Sequence, residues 1–267
     1  DRPNPWYNYN ASVGAFDSAV IDAIITFFMV LFGINFALFY RVLVGGWRDA
    51  LRSEELRWYL ALFAGSTLFV SLMILPQYGT FLNALRYGSF QVATIMSTTG
   101  YATADFNLWP QAVKALIVVL MFIGSCAGST AGGIKVVRVG ILCKLGCREV
   151  RRTFQPRKVQ VVRFEGKGVE ENRLTQVSAF FFVYVLLVLA GMFLVSLEGL
   201  YDLETNFTAV LTCISNVGPG LGHVGPVENF SGYGPFAKVV LSLLMLAGRL
   251  ELFPILVLFH PSAWRKG

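Results

Sequence analysis

Ser97-Thr98-Thr99-Gly100-Tyr101-Ala102-Thr103-Ala104-Asp105 is the stretch on which the reading of this chain turns. It follows an amphipathic segment too short to cross a bilayer, Ser89 to Met96, and precedes a long apolar helix that opens near Trp109. A short helix, a Gly-centred polar turn and a return toward the side of origin describe a re-entrant loop. Non-helical backbone at membrane depth survives only where protein buries it or a water-filled path solvates it. Carbonyl oxygens lining such a path can replace the hydration shell of a monovalent cation. Gly100 lets the chain turn those carbonyls inward, because a residue without Cβ reaches positive φ cheaply. An ordinary helix-to-helix turn is the competing reading of this one motif.

A second copy shifts the balance. Asn206 to Ser215 is again a short apolar segment, followed by Asn216-Val217-Gly218-Pro219-Gly220 and a spanning run from Pro235. Gly100 and Gly218 stand 118 residues apart, with one descending span, a basic loop and one ascending span between them. A repeated span, loop, span unit is harder to dismiss than one turn.

Composition agrees. The 267 residues are 55% hydrophobic and only 14% charged, with a mean hydropathy of +0.60, which is a membrane composition. The net charge of +6 sits in loops beside apolar runs, as the positive-inside rule requires, so no nucleic-acid partner is expected. Cys126, Cys143, Cys147 and Cys213 fall in or beside apolar helices without a His or third thiol nearby and read as small packing residues. No clustered His, paired carboxylates or activated nucleophile points to an enzyme, and His223 and His260 are expected on opposite sides. The chain opens at Asp1 with neither a start Met nor a signal-type leader, and is expected to be a piece of something longer.

Taken in order, residues 1–18 are polar and expected outside. Ser12-Val13-Gly14 imitates a third filter turn but has no apolar helix before it, and is rejected. Ala19 to Tyr40 is the first span, about the 20 residues a bilayer needs. With the amphipathic cytoplasmic connection Arg41 to Arg57 it makes up 19–57, the last helix of an incomplete unit and its connector. The next unit, 58–143, holds a span from Trp58 to Leu75 ended by Pro76, an outer connection from Tyr78 to Tyr87, the first pore loop and a third span. That third span breaks: after Ala112 to Ile123 come four glycines within ten residues, Gly124, Gly128, Gly132 and Gly133, each costing about 1 kcal/mol against Ala in a helix. Close packing through small residues and a deliberate break below the filter are the two accounts. Lys135 and Arg138 just beyond are costly in lipid and should face water, the pore or the cytoplasmic surface.

Residues 144–173 carry nine cations against four acids and read as a basic cytoplasmic loop. The last unit, 174–267, has a span from Leu174 to Leu197, an acidic outer segment from Glu198 to Glu204, the second pore loop and a span from Pro235 to Phe259. Arg249 inside that last span is read as facing the pore cavity, where it repels cations or bonds the glycine-rich break. Arg265 and Lys266 put the end of the chain inside. The expected fold is an all-α polytopic membrane protein with five transmembrane spans and two re-entrant pore loops.

These motifs, together with Ala127-Gly128-Ser129-Thr130-Ala131-Gly132-Gly133-Ile134-Lys135 and Ala247-Gly248-Arg249-Leu250-Glu251, resemble the Trk/Ktr/HKT superfamily of potassium transporters, most closely the bacterial Trk-type membrane subunit. The resemblance implies a filter of Thr98, Thr99 and Gly100 in one loop and Asn216, Val217 and Gly218 in the other, with K+ as the transported ion at those residues and no covalent cofactor. It makes Gly128, Ser129, Thr130, Ala131, Gly132 and Gly133, with Lys135 beside them, the intramembrane gating loop, and Arg249 its partner in the cavity. It also implies a multi-pass protein of a bacterial cytoplasmic (inner) membrane, in contact with lipid, that dimerises and binds a cytosolic nucleotide-sensing ring on its basic face. The family closes its pore with four units; only the third and fourth are here, plus the last helix of the second, so either upstream residues or a second chain must complete the ring. Upstream residues are expected, because the opening span has no pore loop before it. A sodium or non-selective cation pathway, a non-transporting membrane scaffold and a membrane enzyme are the competing functions.

Overall fold

The computed structural model describes residues 12–155 and 160–250. Ten helices and one small hairpin fall in this part of the chain: α1 (Ala19–Phe32), α2 (Phe36–Leu43), α3 (Trp47–Leu51), α4 (Glu54–Tyr78), α5 (Phe81–Met96), α6 (Gln111–Ile123), α7 (Val136–Phe154), β1 (Arg163–Phe164), β2 (Lys167–Gly168), α8 (Glu171–Ser196), α9 (Leu203–Ser215) and α10 (Pro235–Arg249). Short 3-10 turns at Val13–Phe16, Phe106–Leu108, Gly222–Val224 and Phe230–Gly232 decorate the connections.

Two units repeat the same construction. In each, a long apolar helix (α4 or α8) leads into a shorter buried one (α5 or α9), then a turn, then a further helix (α6 or α10). α4 and α8 are long and apolar enough to cross a membrane. Their outward faces carry Leu68, Phe69 and Leu72 on α4 and Phe182, Leu186 and Phe193 on α8, all exposed; such bands suit lipid rather than water. α5 and α9 are enclosed instead: every residue from Gln91 to Met96 is buried, and so is every residue from Thr208 to Ser215. One continuous core joins the units, running from Ile95 and Met96 through Ile117 and Leu120 to Leu211 and Leu244.

Several boundaries depart from the sequence expectation, each for a local reason. The run from Ala19 to Tyr40 is not one straight span; α1 and α2 meet at 90°. Asn35 ends the continuity by accepting from Ala37 N at 2.9 Å as the N-cap of α2. The carbonyls freed at the end of α1 find partners elsewhere, Val30 O with the Tyr59 hydroxyl at 3.1 Å and Gly33 O with Cys126 N at 3.1 Å. Pro76 lies inside α4, which runs on to Tyr78 and closes at Gly79 with φ 71°.

α5 begins at Phe81, where Thr80 caps it, and so takes in most of the expected outer connection. Arg86 reads as a loop residue in isolation, but its Nε donates to Asp22 Oδ2 on α1 at 2.6 Å, and this partner permits a cation on a packed helix. The basic loop is likewise more ordered than its composition suggests. α7 continues to Phe154, and β1 pairs with β2 through a turn at Glu165 and Gly166, with φ 52° and 72°. Only the first part of the final expected span, α10, lies among the described residues; Glu251, His260, Arg265 and Lys266 fall outside them.

Candidate functional site

The ends of α5 and α9 make the same turn. After Met96 the chain passes through Thr98 in the left-handed region, φ 53°, and after Ser215 through Asn216 at φ 56°. Thr99 N then reaches back to Thr94 O at 3.0 Å, and Val217 N to Thr212 O at 2.9 Å. This six-to-one bond beside a left-handed residue is the Schellman way of ending a helix. Gly100 follows at φ 80° and Gly218 at φ 113°, so each turn has two positions, with one residue between them, in a conformation that L side chains resist.

The two turns meet. A Cβ on Gly100 would collide with the carbonyl oxygen of Val217, and one on Gly218 would sit 3.8 Å from the Gly100 Cα. The carbonyl oxygens of Thr98, Thr99, Gly100, Asn216, Val217 and Gly218 accept no hydrogen bond from the described residues. Of these six residues only Val217 is buried, while Thr99 and Gly218 are exposed, so the oxygens without protein donors form an acceptor-only surface open to the space beside the turns. Both helices also aim their C-terminal, partially negative ends here, with no basic residue in either last turn. A cavity of about 570 Å³ opens beside them, lined by Thr98, Thr99, Asn216, Val217 and Gly218 among others.

Above the turns, Asn107 ties the units together. It donates from Nδ2 to Gly222 O at 3.1 Å and accepts from Gly222 N at 3.0 Å. Asp202 caps α9 through Thr205, and hydrogen bonding from Thr205 holds its carboxyl below the ordinary aspartate value. The rejected turn at Ser12-Val13-Gly14 also belongs to this neighbourhood. Val13 N and Gly14 N both donate to Ala102 O at 3.1 Å, two residues past Gly100. The sequence before it, polar from Asp1 to Asn10, gives no apolar helix to point to this position.

The glycine-rich stretch is a loop between α6 and α7, not a packed helix. Gly124, Gly128 and Gly133 all take positive φ, as does Lys135 at 82°. The loop threads between the break in α1–α2 and the end of α9. On one side Phe36 N donates to Gly128 O at 3.2 Å and Cys126 N to Gly33 O at 3.1 Å. On the other, Gly132 N donates to Thr98 Oγ1 at 3.1 Å, and the Gly132 Cα faces the Ser215 carbonyl so closely that no Cβ fits.

Arg249 reaches across from α10 and donates from Nη1 to Thr130 O at 2.7 Å. Lys135 Nζ donates to Ala131 O. Ser129 and Gly133 line a second cavity of about 320 Å³ together with Lys135, Tyr184 and Arg249. Thus the expected gate residues are brought together, one hydrogen bond away from Thr98.

Three contributors escaped the sequence reading. Glu55 on α4 accepts from Ala127 N at 2.6 Å, and Asn35 abuts Gly128. Thr212 accepts from Gly218 N at 2.9 Å and donates to Pro219 O at 3.1 Å. A signal for the last was available: Thr94, Ser97 and Gly100 align with Thr212, Ser215 and Gly218 at one fixed offset.

Comparison with known proteins identifies the family. Residues 8–266 match the family model TrkH, described as a cation transport protein. The Trk system potassium uptake protein TrkH of Salmonella typhimurium is 36% identical over 265 residues, covering 97% of this chain and 53% of that protein. TrkG of Escherichia coli is 30% identical over 265 residues, with the same coverage. The crystal structure of the potassium transporter TrkH from Vibrio parahaemolyticus superposes with a TM-score of 0.88 at 33% identity, covering 96% of this chain and 55% of that one. The chain therefore spans about half the length of the relatives it matches. On this sequence and structural likeness, the chain belongs to the TrkH family of cation transport proteins.

Proposed function

We propose that this chain is part of a potassium transporter of a bacterial cytoplasmic membrane, not an enzyme, and that potassium passes between the turns after α5 and α9. Thr98, Thr99, Gly100, Asn216, Val217 and Gly218 would supply carbonyl oxygens that replace the ion's water shell. The single observation that carries the reading is the set of six carbonyls without protein donors at the meeting of two glycine turns. In this reading α5 and α9 with their turns are re-entrant pore loops, and the α1–α2 pair, α4, α6 with α7, α8 and α10 account for five spans. Val13 and Gly14 border the same axis through Ala102, and further residues complete the ring.

Beneath the filter, the loop from Gly128 to Gly133 blocks the path, pinned by Arg249. Lys135 on the same cavity adds a positive barrier to cations. Opening requires the loop to leave Thr98 and Thr130 to leave Arg249, which a partner subunit on the cytoplasmic face would drive. A homodimer and a nucleotide-sensing ring are the partners that the family resemblance suggests.

The test is potassium and sodium flux into liposomes carrying the full-length protein. Gly218→Ser, where space permits a side chain but φ does not, should lower K+/Na+ discrimination while leaving the protein folded. Gly100→Ser should do so more severely. Unchanged discrimination in a folded Gly218→Ser protein would sink the filter assignment. The scaffold alternative predicts no thermal stabilisation by K+, whereas a bound ion raises the melting temperature by mass action.

A further inference from the structure

On the cytoplasmic side a second, larger feature stands apart from the ion path. A cavity of about 1070 Å³ lies between α7, the β1–β2 hairpin and the start of α4. Its lining includes Lys144, Arg148, Arg151 and Arg163 and, among the described residues, no carboxylate. Two of these cations are already balanced from outside the cavity: Lys144 pairs with Glu54, and Arg148 bonds Glu171 at 2.6 Å and Glu149 at 3.0 Å. The side chains of Arg151 and Arg163 make no ion pair among the described residues, and both are exposed. Two guanidinium groups without ion pairs among the described residues suit an anion that can accept from the planar guanidinium fork through two oxygens, such as a phosphate.

The rim identifies which phosphate. Trp58, 43% exposed, stands in the second turn of α4, a helix long and apolar enough to span the membrane. Aromatic residues at that position mark headgroup depth. Val161, 59% exposed, adds apolar surface on the hairpin side. Cationic floor, aromatic and aliphatic rim and a volume far beyond one phosphate together fit a headgroup with the start of its acyl chains. Basic pockets beside spans on the cytoplasmic side are recognised sites for such lipids. We propose that this cavity binds an anionic phospholipid of the cytoplasmic leaflet, its phosphate held by Arg151 and Arg163 and its glycerol and upper chains against Trp58 and Val161. The proposal rests on α4 crossing the membrane.

The experiment uses the full-length protein in nanodiscs of phosphatidylcholine with or without phosphatidylglycerol, read by thermal melting and by native mass spectrometry of retained lipid. Wild-type protein should melt higher in phosphatidylglycerol and retain it. R151Q/R163Q should weaken apparent phosphatidylglycerol affinity roughly thirtyfold, the size expected for two arginines near an anionic surface. The control K167Q/R173Q removes the same charge from the same face outside the cavity and should behave as wild type. Potassium-dependent stabilisation, measured in the same preparations, reports separately on the filter. An equal lipid response in R151Q/R163Q and wild type would overturn the site. So would equal weakening in the control, which means a diffuse charge effect, or an equal wild-type shift with inorganic phosphate alone, which means a free-anion site.

Discussion

The Glu55 carboxylate, in the first turn of α4, lies 2.6 Å from the backbone nitrogen of Ala127, at the head of the glycine-rich loop. The same helix start receives a second carboxylate from the opposite direction. Glu165, at the tip of the β1–β2 hairpin, accepts from Ser53 Oγ at 2.8 Å and Glu55 N at 3.0 Å, while Glu165 N donates to Glu54 Oε2 at 3.1 Å. One orphan amide of the helix start, Glu55 N, is thereby satisfied from a distant hairpin. A continuous set of hydrogen bonds runs from the β1–β2 hairpin, through the start of α4, to the loop that lies against Thr98.

Removing the Glu55 acceptor should therefore loosen the loop. Glu55→Leu leaves the Ala127 amide without its partner, at a cost of about 1–3 kcal/mol, and should raise basal ion flux. Glu55→Gln keeps an acceptor oxygen in place and should stay close to wild type. Liposome flux and thermal melting on both variants check this. Equal flux in Glu55→Leu and wild type would show that the contact does not hold the loop.

Glycine positions divide by what surrounds them, and stability measurements should divide with them. Gly132→Ala forces a Cβ into the Ser215 carbonyl, where the obstacle is backbone and cannot rotate away. A loss of about 1–3 kcal/mol is expected, the range for overpacking, with the loop displaced from α9 and flux altered. Gly65, in the middle of α4, meets nothing within 4 Å. Gly65→Ala should stabilise by up to about 1 kcal/mol through helix propensity. Chemical denaturation or melting of the two variants side by side settles the contrast.

Arg249 offers the most direct test of the blocking role. Its Nη1 is 2.7 Å from Thr130 O, and a backbone carbonyl cannot be removed by mutation, so the arginine must be changed. Arg249→Ala should increase flux, since it frees the loop and removes a positive charge from the cavity. Arg249→Lys separates the two effects: it keeps the charge but presents a single point donor, and should give flux between wild type and Ala. Unchanged or lower flux in Arg249→Ala at normal expression would count against the gate.

What the sequence disclosed and what it hid follow from the range of the forces involved. Gly100, Gly218 and the run from Gly124 to Gly133 were legible because positive φ is a local demand that only a few residue types meet. The apolar helices α4 and α8 were legible from composition. The bend between α1 and α2 was not: Gly33 and Asn35 are the local hints in the apolar stretch from Phe27 to Tyr40, and the bonds that hold the bend come from Tyr59 and Cys126, far along the chain. The start of α5 was misplaced because Arg86 is neutralised by Asp22, 64 residues away. The hairpin at Arg163–Gly168 was hidden in basic composition, its Phe164 packed against Gly140 of α7. Val13 and Gly14 were set aside for want of a preceding helix, yet both amides bind Ala102.

The two turns share a threonine but use it differently, which yields a paired prediction. Thr212 Oγ1 accepts from Gly218 N and donates to Pro219 O, at 2.9 and 3.1 Å. Its counterpart Thr94 is buried with a hydroxyl that has no partner among the described residues. Thr212→Val leaves Gly218 N without its acceptor and Pro219 O without its donor inside a packed region, at a cost of about 1–3 kcal/mol. It should lower both thermal stability and K+ selectivity, since Gly218 then loses the bond that fixes its carbonyl direction. Thr94→Val replaces an unpaired hydroxyl by a methyl and should be neutral or stabilising, because a buried polar group without a partner is itself a cost. Melting curves and K+/Na+ flux ratios for the two variants discriminate the cases. If Thr94→Val proves the more damaging of the two, the first turn holds its shape by a contact other than those described, and the equivalence of the two turns fails at that position.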